Sequence, residues 1–373
     1  YICLTRKNME KQWTKELVLE VYNKPFMELL YEAATIHREN HNPLEVQIST
    51  LLSIKTGGCP EDCGYCPQAA RYHTDIETNE LMSVSHVKAQ ALRAKSNGSS
   101  RLCMGAAWRN IQNNAEFDQV LDMVQTVNDL NMEVCCTLGM MTEDQAQRLA
   151  DAGLYAYNHN LDSSEEHYKE IISTRGYDDR LKTIENASKA GISVCSGGIV
   201  GMGESDEDRC NMLVTLTNMN PQPKSVPINA LVPIEGTPLA EQTPVPIWDM
   251  VRMVATARIV MPEAVVRLSA GRTNMSDEGQ TLCFMAGASS IFAGDKLLTT
   301  PNPDINEDMK LFKILGLKGK APFVDGDKPV SNDSYKNGSD TKGSVKWTRP
   351  GHSIERNLEA KEQAKAIRKD LAK

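Results

Sequence analysis

The stretch Gly57-Gly58-Cys59-Pro60-Glu61-Asp62-Cys63-Gly64-Tyr65-Cys66-Pro67 constrains this chain more than any other. It sets three cysteines close together, with three residues between the first pair and two between the second. The glycines and prolines around them permit or enforce non-helical dihedrals, so the thiols sit on a loop. A structural zinc site wants four protein ligands, and a fully ligated four-iron cluster wants four cysteines. Three thiols without a fourth point to a cluster with one open iron, left for a substrate. Disulfides, a zinc knuckle and buried free thiols are the alternatives.

With 373 residues the chain has room for a large barrel of about 250 residues and extensions at both ends. A net charge of -8, with no long basic run, argues against a nucleic-acid surface. No stretch of about 18 apolar residues is present, so no membrane span is expected. Ten cysteines without a secretory signal pattern point to a reducing compartment, where thiols bind metal or do redox work.

Along the chain, helical spacing of apolar residues over 12–42 predicts a helical preface with a break or start at Pro25. From about 45 the texture changes to strands alternating with amphipathic helices. The expected strands are 46–54, 101–106, 133–138, 154–160, 192–198, 225–231, 264–269 and 289–292. Thr142 and Gln145 form a capping-box pattern, and the helix they open ends at Gly153. The phrase Ala-Gly recurs before strands at 152–153, 190–191 and 286–287. Eight strands with this echo favour a closed (β/α)8 TIM-type barrel over a doubly wound sheet. The domain reading is an N-terminal helical extension at 1–44, the barrel at 45–320, and a flexible polar linker with a charged tail at 321–373. Residues 326–345 in particular read as disordered, being rich in Asp, Asn, Ser, Gly and Lys.

Strand parity then sorts the side chains. Alternate residues of a barrel strand face the lumen and the helix layer. Val134, Cys136 and Leu138 share the helix-facing side, which leaves Cys135 and Thr137 pointing inward. The same count turns Cys103, Cys195 and Arg267 inward from three further strands. An inward arginine is costly unless anions balance it, and thiolates on a cluster would do so. A core thiol is the plain alternative for each cysteine taken alone. Cys3, Cys210 and Cys283 lack such company and read as structural or incidental. Asn158 and Asn160 share a face suited to amide recognition of a polar ligand. Asp162 stands where a ribose hydroxyl could be held, and His159 has the opposite parity, as a core histidine would. The glycines of Gly197–Gly203 read as room for a flat ligand such as adenine.

The stretches TGGCPEDCGYCPQ, RLCMGAAWR, CCTLGM, YNHNLD, TRGYDDRL, VCSGGIVGMGE, PINALVPIEGTPL and VRLSAGR together resemble the biotin synthase family of radical S-adenosylmethionine (SAM) enzymes, over roughly 14–320. The resemblance implies that Cys59, Cys63 and Cys66 ligate a [4Fe-4S] cluster whose open iron chelates SAM. It implies that Cys103, Cys135, Cys195 and Arg267 ligate a [2Fe-2S] cluster deeper in the barrel. Tyr65, Asn160, Asp162, Arg180, Ile199 and Val232 would hold SAM, and Asn158, Asn160 and Asn229 would hold dethiobiotin. No side chain would be a catalytic acid or base, because the cofactors carry the chemistry. The implied reaction is sulfur insertion into dethiobiotin to give biotin, with the two-iron cluster as sulfur donor. The implied partners are a flavodoxin- or ferredoxin-type electron donor, the iron–sulfur assembly machinery and a second copy in a homodimer. The implied setting is the mitochondrial matrix or cytoplasm. Two other readings remain open: a radical SAM barrel enzyme acting on a different small molecule, and an electron-transfer iron–sulfur protein.

Overall fold

The computed structural model describes residues 12–294 and 296–336. Two helices come first, α1 (Lys15–Tyr22) and α2 (Phe26–Asn40), separated at Pro25, which is the N-cap of the second. There follow β1 (Glu45–Lys55), α3 (Val84–Ser96), β2 (Arg101–Ala106), α4 (Ala115–Asp129), β3 (Glu133–Thr137), α5 (Glu143–Asp151) and β4 (Ala156–Asn158). Two helices, α6 (Glu165–Ile171) and α7 (Tyr177–Lys189), then lead into β5 (Ser193–Cys195) and β6 (Gly198–Val200). The remaining elements are α8 (Asp206–Thr217), β7 (Ser225–Ala230), α9 (Ile247–Val260), β8 (Val265–Leu268), α10 (Asp277–Met285), β9 (Ser290–Phe292), α11 (Ile305–Leu315) and β10 (Lys318–Gly319).

All ladder pairings are parallel, and β1 pairs with both β2 and β9, which closes the sheet. The described residues therefore form an eight-stave parallel barrel, with β5 and β6 sharing one stave and β10 pairing alongside the first residues of β1. The shared stave departs from the single strand expected over 192–198. β7 carries Pro227, which has no N–H to give to a ladder. Gly197 lies directly on that residue, and a Cβ at Gly197 would come within 2.0 Å of the Pro227 carbonyl oxygen. A side chain cannot occupy the break, so the stave resumes at Gly198.

Two apolar layers result. Leu102, Met104, Val134, Cys136, Val266 and Leu268 belong to the large core between staves and helices. Cys103, Cys135, Tyr155, Ala156, Phe292 and Leu297 form a separate cluster inside the barrel. Strand parity thus divides the adjacent cysteines Cys135 and Cys136 as expected. The Thr142–Gln145 capping box forms at α5, and Gly153, Gly191 and Gly287 take left-handed φ at the ends of their helices.

Of the stretch 326–345 expected to be disordered, residues 326–336 are instead docked on the barrel, and 337–345 lie outside the described residues. The Pro329 carbonyl accepts from Asn128 Nδ2 at 3.1 Å, and the Asn332 amide donates to the Asp151 carbonyl at 2.9 Å. Tyr335 is 1 % exposed and reaches Gln125 Oε1 and Asp122 Oδ1. A polar composition hid this because backbone groups and one tyrosine make the attachment, with few apolar residues. Cys3 and the charged helix expected at 352–373 lie outside the described residues.

Candidate active site

The loop after β1 lies over the C-terminal mouth of the barrel, where the staves of this fold present their working residues. A second segment, 173–175, clamps it. Asp62 accepts from the Ser173 amide at 2.9 Å, from the Thr174 amide at 3.1 Å and from the Thr174 hydroxyl at 3.0 Å. Ser173 Oγ also donates to Asp62, and Thr174 Oγ1 to Glu61. Arg175 follows, with Nη2 3.6 Å from Cys63 Sγ and Nε 3.2 Å from the Tyr168 hydroxyl.

Below the loop a cavity of about 320 Å³ runs into the lumen. The loop contributes Cys59, Cys63, Cys66 and Tyr65 to its wall, and β2 and β3 contribute Cys103 and Cys135. Asn158, Asn160 and Asp162 come from the end of β4, Arg180 from α7 and Arg267 from β8. Ile199, Asn229 and Val232 complete the opposite side. Cys195 sits just behind this wall. Asn158 Nδ2 lies 3.3 Å from its sulfur and Arg267 Nη1 lies 3.9 Å from it. The residues singled out in the sequence are thereby brought together around one chamber.

Hydrogen bonds fix their orientation. Tyr65 donates to Asp162 Oδ2 at 2.7 Å, and Arg180 pairs with the same oxygen while donating to the Asn160 carbonyl at 2.5 Å. Asp162 has φ +69°, a left-handed backbone that Asp and Asn tolerate better than other side chains. Asn158 donates to Asn160 Oδ1 at 3.2 Å, and Asn160 Oδ1 also accepts from the Gly197 amide at 3.3 Å. Asn229 donates to the Gly198 carbonyl at 2.9 Å and accepts from the Ala270 amide at 3.2 Å, bridging β6 to the end of β8. Arg267 is 1 % exposed, donates to Ser290 Oγ at 2.9 Å and to Gln47 Oε1 at 3.2 Å, and stacks over Phe292.

The thiol environments differ. Burial pushes the Cys66 thiol up to about 12 and Cys63 higher still. By themselves these thiols stay neutral at neutral pH, so anionic sulfur on this loop requires a metal to displace the proton. In the lumen a hydrogen bond between Cys135 and Cys103 pulls Cys103 down, helped by Arg267 and Arg101, and pushes Cys135 up. Among the described residues no three His, Cys, Asp or Glu side chains converge tightly enough for a single metal ion. An iron–sulfur cluster places several atoms between its ligand sulfurs, so thiols arranged for one stand wider apart than the ligands of one ion. The donor set fits a cluster: two groups of thiols next to buried guanidinium groups, with the nearby carboxylates Asp162 and Glu61 engaged by Arg180 and Arg109.

Sequence reasoning missed the clamp. Glu61, Trp108, Arg175 and the stretch Leu297–Thr300 also line the cavity, and Arg175 was visible only as part of TRGYDDRL. The reading of Gly197–Gly203 as ligand room is corrected for its first glycines. Gly197 packs on Pro227 and Gly198 on Met212, whose sulfur would lie 2.1 Å from an added Cβ. His159 is buried, as a core histidine would be, but it also lines the cavity, and its Nε2 has no hydrogen-bond partner.

A closed parallel barrel with a three-thiol loop over its mouth defines a class, the radical SAM barrel proteins. The family model described as the Radical SAM superfamily matches residues 53–216, and the Biotin and Thiamin Synthesis associated domain matches 227–318. Among solved structures, a methylornithine synthase superposes with TM-score 0.71 at 18 % identity, covering 83 % of this chain and 95 % of that one. The [FeFe]-hydrogenase maturase HydG superposes with TM-score 0.70 at 19 % identity, covering 95 % and 77 %. At these identities the likeness concerns the fold. The biotin synthase of Christiangramia forsetii is 70 % identical over 358 residues, 96 % of this chain and 99 % of the relative. The mitochondrial biotin synthase of Arabidopsis thaliana is 52 % identical over 332 residues, 89 % and 88 % of the two chains. The chain belongs to the biotin synthase family.

Proposed function

We infer that this chain is a radical SAM sulfurtransferase that converts dethiobiotin to biotin, with SAM as co-substrate and iron–sulfur clusters as cofactors. The observation that carries this is the joining of two thiol groups at one chamber, Cys59, Cys63 and Cys66 above and Cys103 and Cys135 below with Cys195 just behind them, in a chain 70 % identical to a biotin synthase over nearly its whole length. In the finer reading the loop thiols hold a [4Fe-4S] cluster, and the lower thiols with Arg267 hold a [2Fe-2S] cluster. When bound, the first would supply the electron that opens SAM, and the second the sulfur that biotin gains.

The chain's own residues bind, orient and exclude water. Arg180 and Tyr65 lock Asp162 so that its carboxylate faces the chamber as an acceptor for SAM, with Asn160, Ile199 and Val232 beside it. The carboxamides of Asn158, Asn160 and Asn229 match the donor and acceptor pattern of a cyclic urea, which supports their assignment to dethiobiotin. Leu51, Ala106, Trp108, Phe292 and Leu297 furnish apolar wall, which keeps the chamber poor in water. Arg267 brings its guanidine group to 3.9 Å from Cys195 sulfur, which supports its assignment with the lower thiols.

In the division we propose, residues 45–320 form the catalytic barrel and 1–44 a helical extension. A flavodoxin- or ferredoxin-type donor, the iron–sulfur assembly machinery and a homodimer complete the proposal. Among the described residues no helix is long and apolar enough to cross a membrane. A reducing compartment, the mitochondrial matrix or the cytoplasm, suits the reduced thiols. Anaerobic reconstitution with iron and sulfide, followed by iron counting, visible spectroscopy and a biotin assay with dethiobiotin and SAM, tests this reading. Two cluster types and biotin are expected; a single cluster type, or no biotin, would refute it.

A further inference from the structure

Arg175 is 7 % exposed, yet no carboxylate lies within ion-pair distance of it among the described residues. Its hydrogen bonds run from Nε to the Tyr168 hydroxyl and from Nη2 to Cys63 Sγ at 3.6 Å. Glu61 acts on this guanidinium only beyond ion-pair distance, so the cation is buried without a directly paired carboxylate, an unfavourable state unless another anion lies close. The neighbouring buried guanidinium, Arg180, has Asp162, and Arg109 has Glu61 at 3.5 Å. Arg175 faces sulfur instead. Its position is not a matter of a loose side chain. The preceding residues Ser173 and Thr174 are tied to Asp62 through backbone amides and hydroxyls, across 111 and 112 positions of sequence. The clamp therefore delivers a guanidinium to one thiol of the loop.

We propose that Arg175 is a positioning residue that tunes the cluster held by Cys59, Cys63 and Cys66. It places one N–H and one positive charge against Cys63 sulfur and so raises the cluster's reduction potential. Net charge and hydrogen bonds to sulfur are established levers on such potentials. A higher potential lets a given donor reduce the cluster more completely. The inference rests on the cluster assignment above.

The test uses the full chain reconstituted anaerobically, in the parent and in Arg175→Met and Arg175→Lys. Redox titration followed by electron paramagnetic resonance reads the four-iron potential; iron content and thermal unfolding are measured on the same samples. Arg175→Met is expected to keep its iron, show a lower potential and be reduced to a smaller extent by the same donor. Arg175→Lys, which restores the charge without the planar fork, is expected to recover much of the potential. An unchanged potential in Arg175→Met overturns the proposal. Should that variant fail to fold, Arg175→Gln keeps an N–H donor and loses the charge; a potential equal to the parent's in that variant overturns the proposal in the same way. Absence of any four-iron signal in the parent would instead bring down the cluster assignment, and this inference with it.

Discussion

The backbone N–H of Phe323 donates to Glu133 Oε1 at 2.7 Å, at the end of the barrel opposite the three-thiol loop. Glu133 is 1 % exposed and its other oxygen takes Arg101 Nε at 2.8 Å and Gln47 Nε2 at 3.0 Å. The Phe323 ring packs edge-on to Tyr155, within the apolar cluster that holds Cys103 and Cys135. Phe323 thus packs beneath that cluster, and Tyr335 anchors the far end of the segment that begins here.

That anchor can be measured. Tyr335→Ala removes a buried aromatic ring and should cost about 3 kcal/mol. Tyr335→Phe keeps the ring and loses the hydroxyl contacts to Gln125 and Asp122, at about 1 kcal/mol. Equilibrium denaturation of both variants beside the parent reads this order. Equal stability of Tyr335→Ala and the parent would mean that the segment is not attached as described.

Asp162 combines a left-handed backbone with a buried ion pair to Arg180. Asp162→Asn keeps a side chain that accepts this backbone but leaves the guanidinium without an anion, so a loss of about 3 kcal/mol is expected. Asp162→Val adds backbone strain and should be the less stable of the two. SAM affinity should fall in both, and calorimetric titration measures it. Parent-like SAM affinity in Asp162→Asn would remove Asp162 from the proposed SAM site.

Cys103 stands in register with Cys135 on adjacent staves, below the loop thiols. Cys103→Ala is expected to abolish biotin formation while SAM still binds and is still cleaved reductively. Undiminished biotin in that variant would defeat the assignment of the lower thiols to the sulfur-donating cluster.

His37 and His41 stack against each other near Arg258, which donates to His41 Nε2 at 2.7 Å. Burial first, then Arg258, lowers His37 to about 3 and His41 to about 4. Both ordinary values lie near 6.5, so below that pH the unfolded chain takes up protons that the folded chain refuses. Stability should therefore fall as pH drops from about 6.5 toward about 4, by up to about 1.4 kcal/mol per pH unit for His37. His37→Leu should flatten that slope in melting curves taken across this range. An unchanged slope would show that other groups set the acid limit.

The local and periodic features of this protein were legible in its residues. Staves at 101–106, 225–231 and 264–269 appear within two residues of their expected bounds, because alternation and terminal glycines are written locally. The inward turn of Cys103, Cys135 and Arg267 followed from parity, which depends only on strand geometry. What only the tertiary structure decided are contacts between segments far apart in the chain. Nothing local says that Ser173 and Thr174 hold Asp62, that Arg175 thereby meets Cys63, or that Pro227 breaks the stave opposite Gly197. Nor does a polar composition reveal that Phe323 and Tyr335 fasten the last described residues to the barrel. Periodicity records which face of an element is buried, but not which distant group meets it; that is settled only when the closed barrel brings those segments into contact.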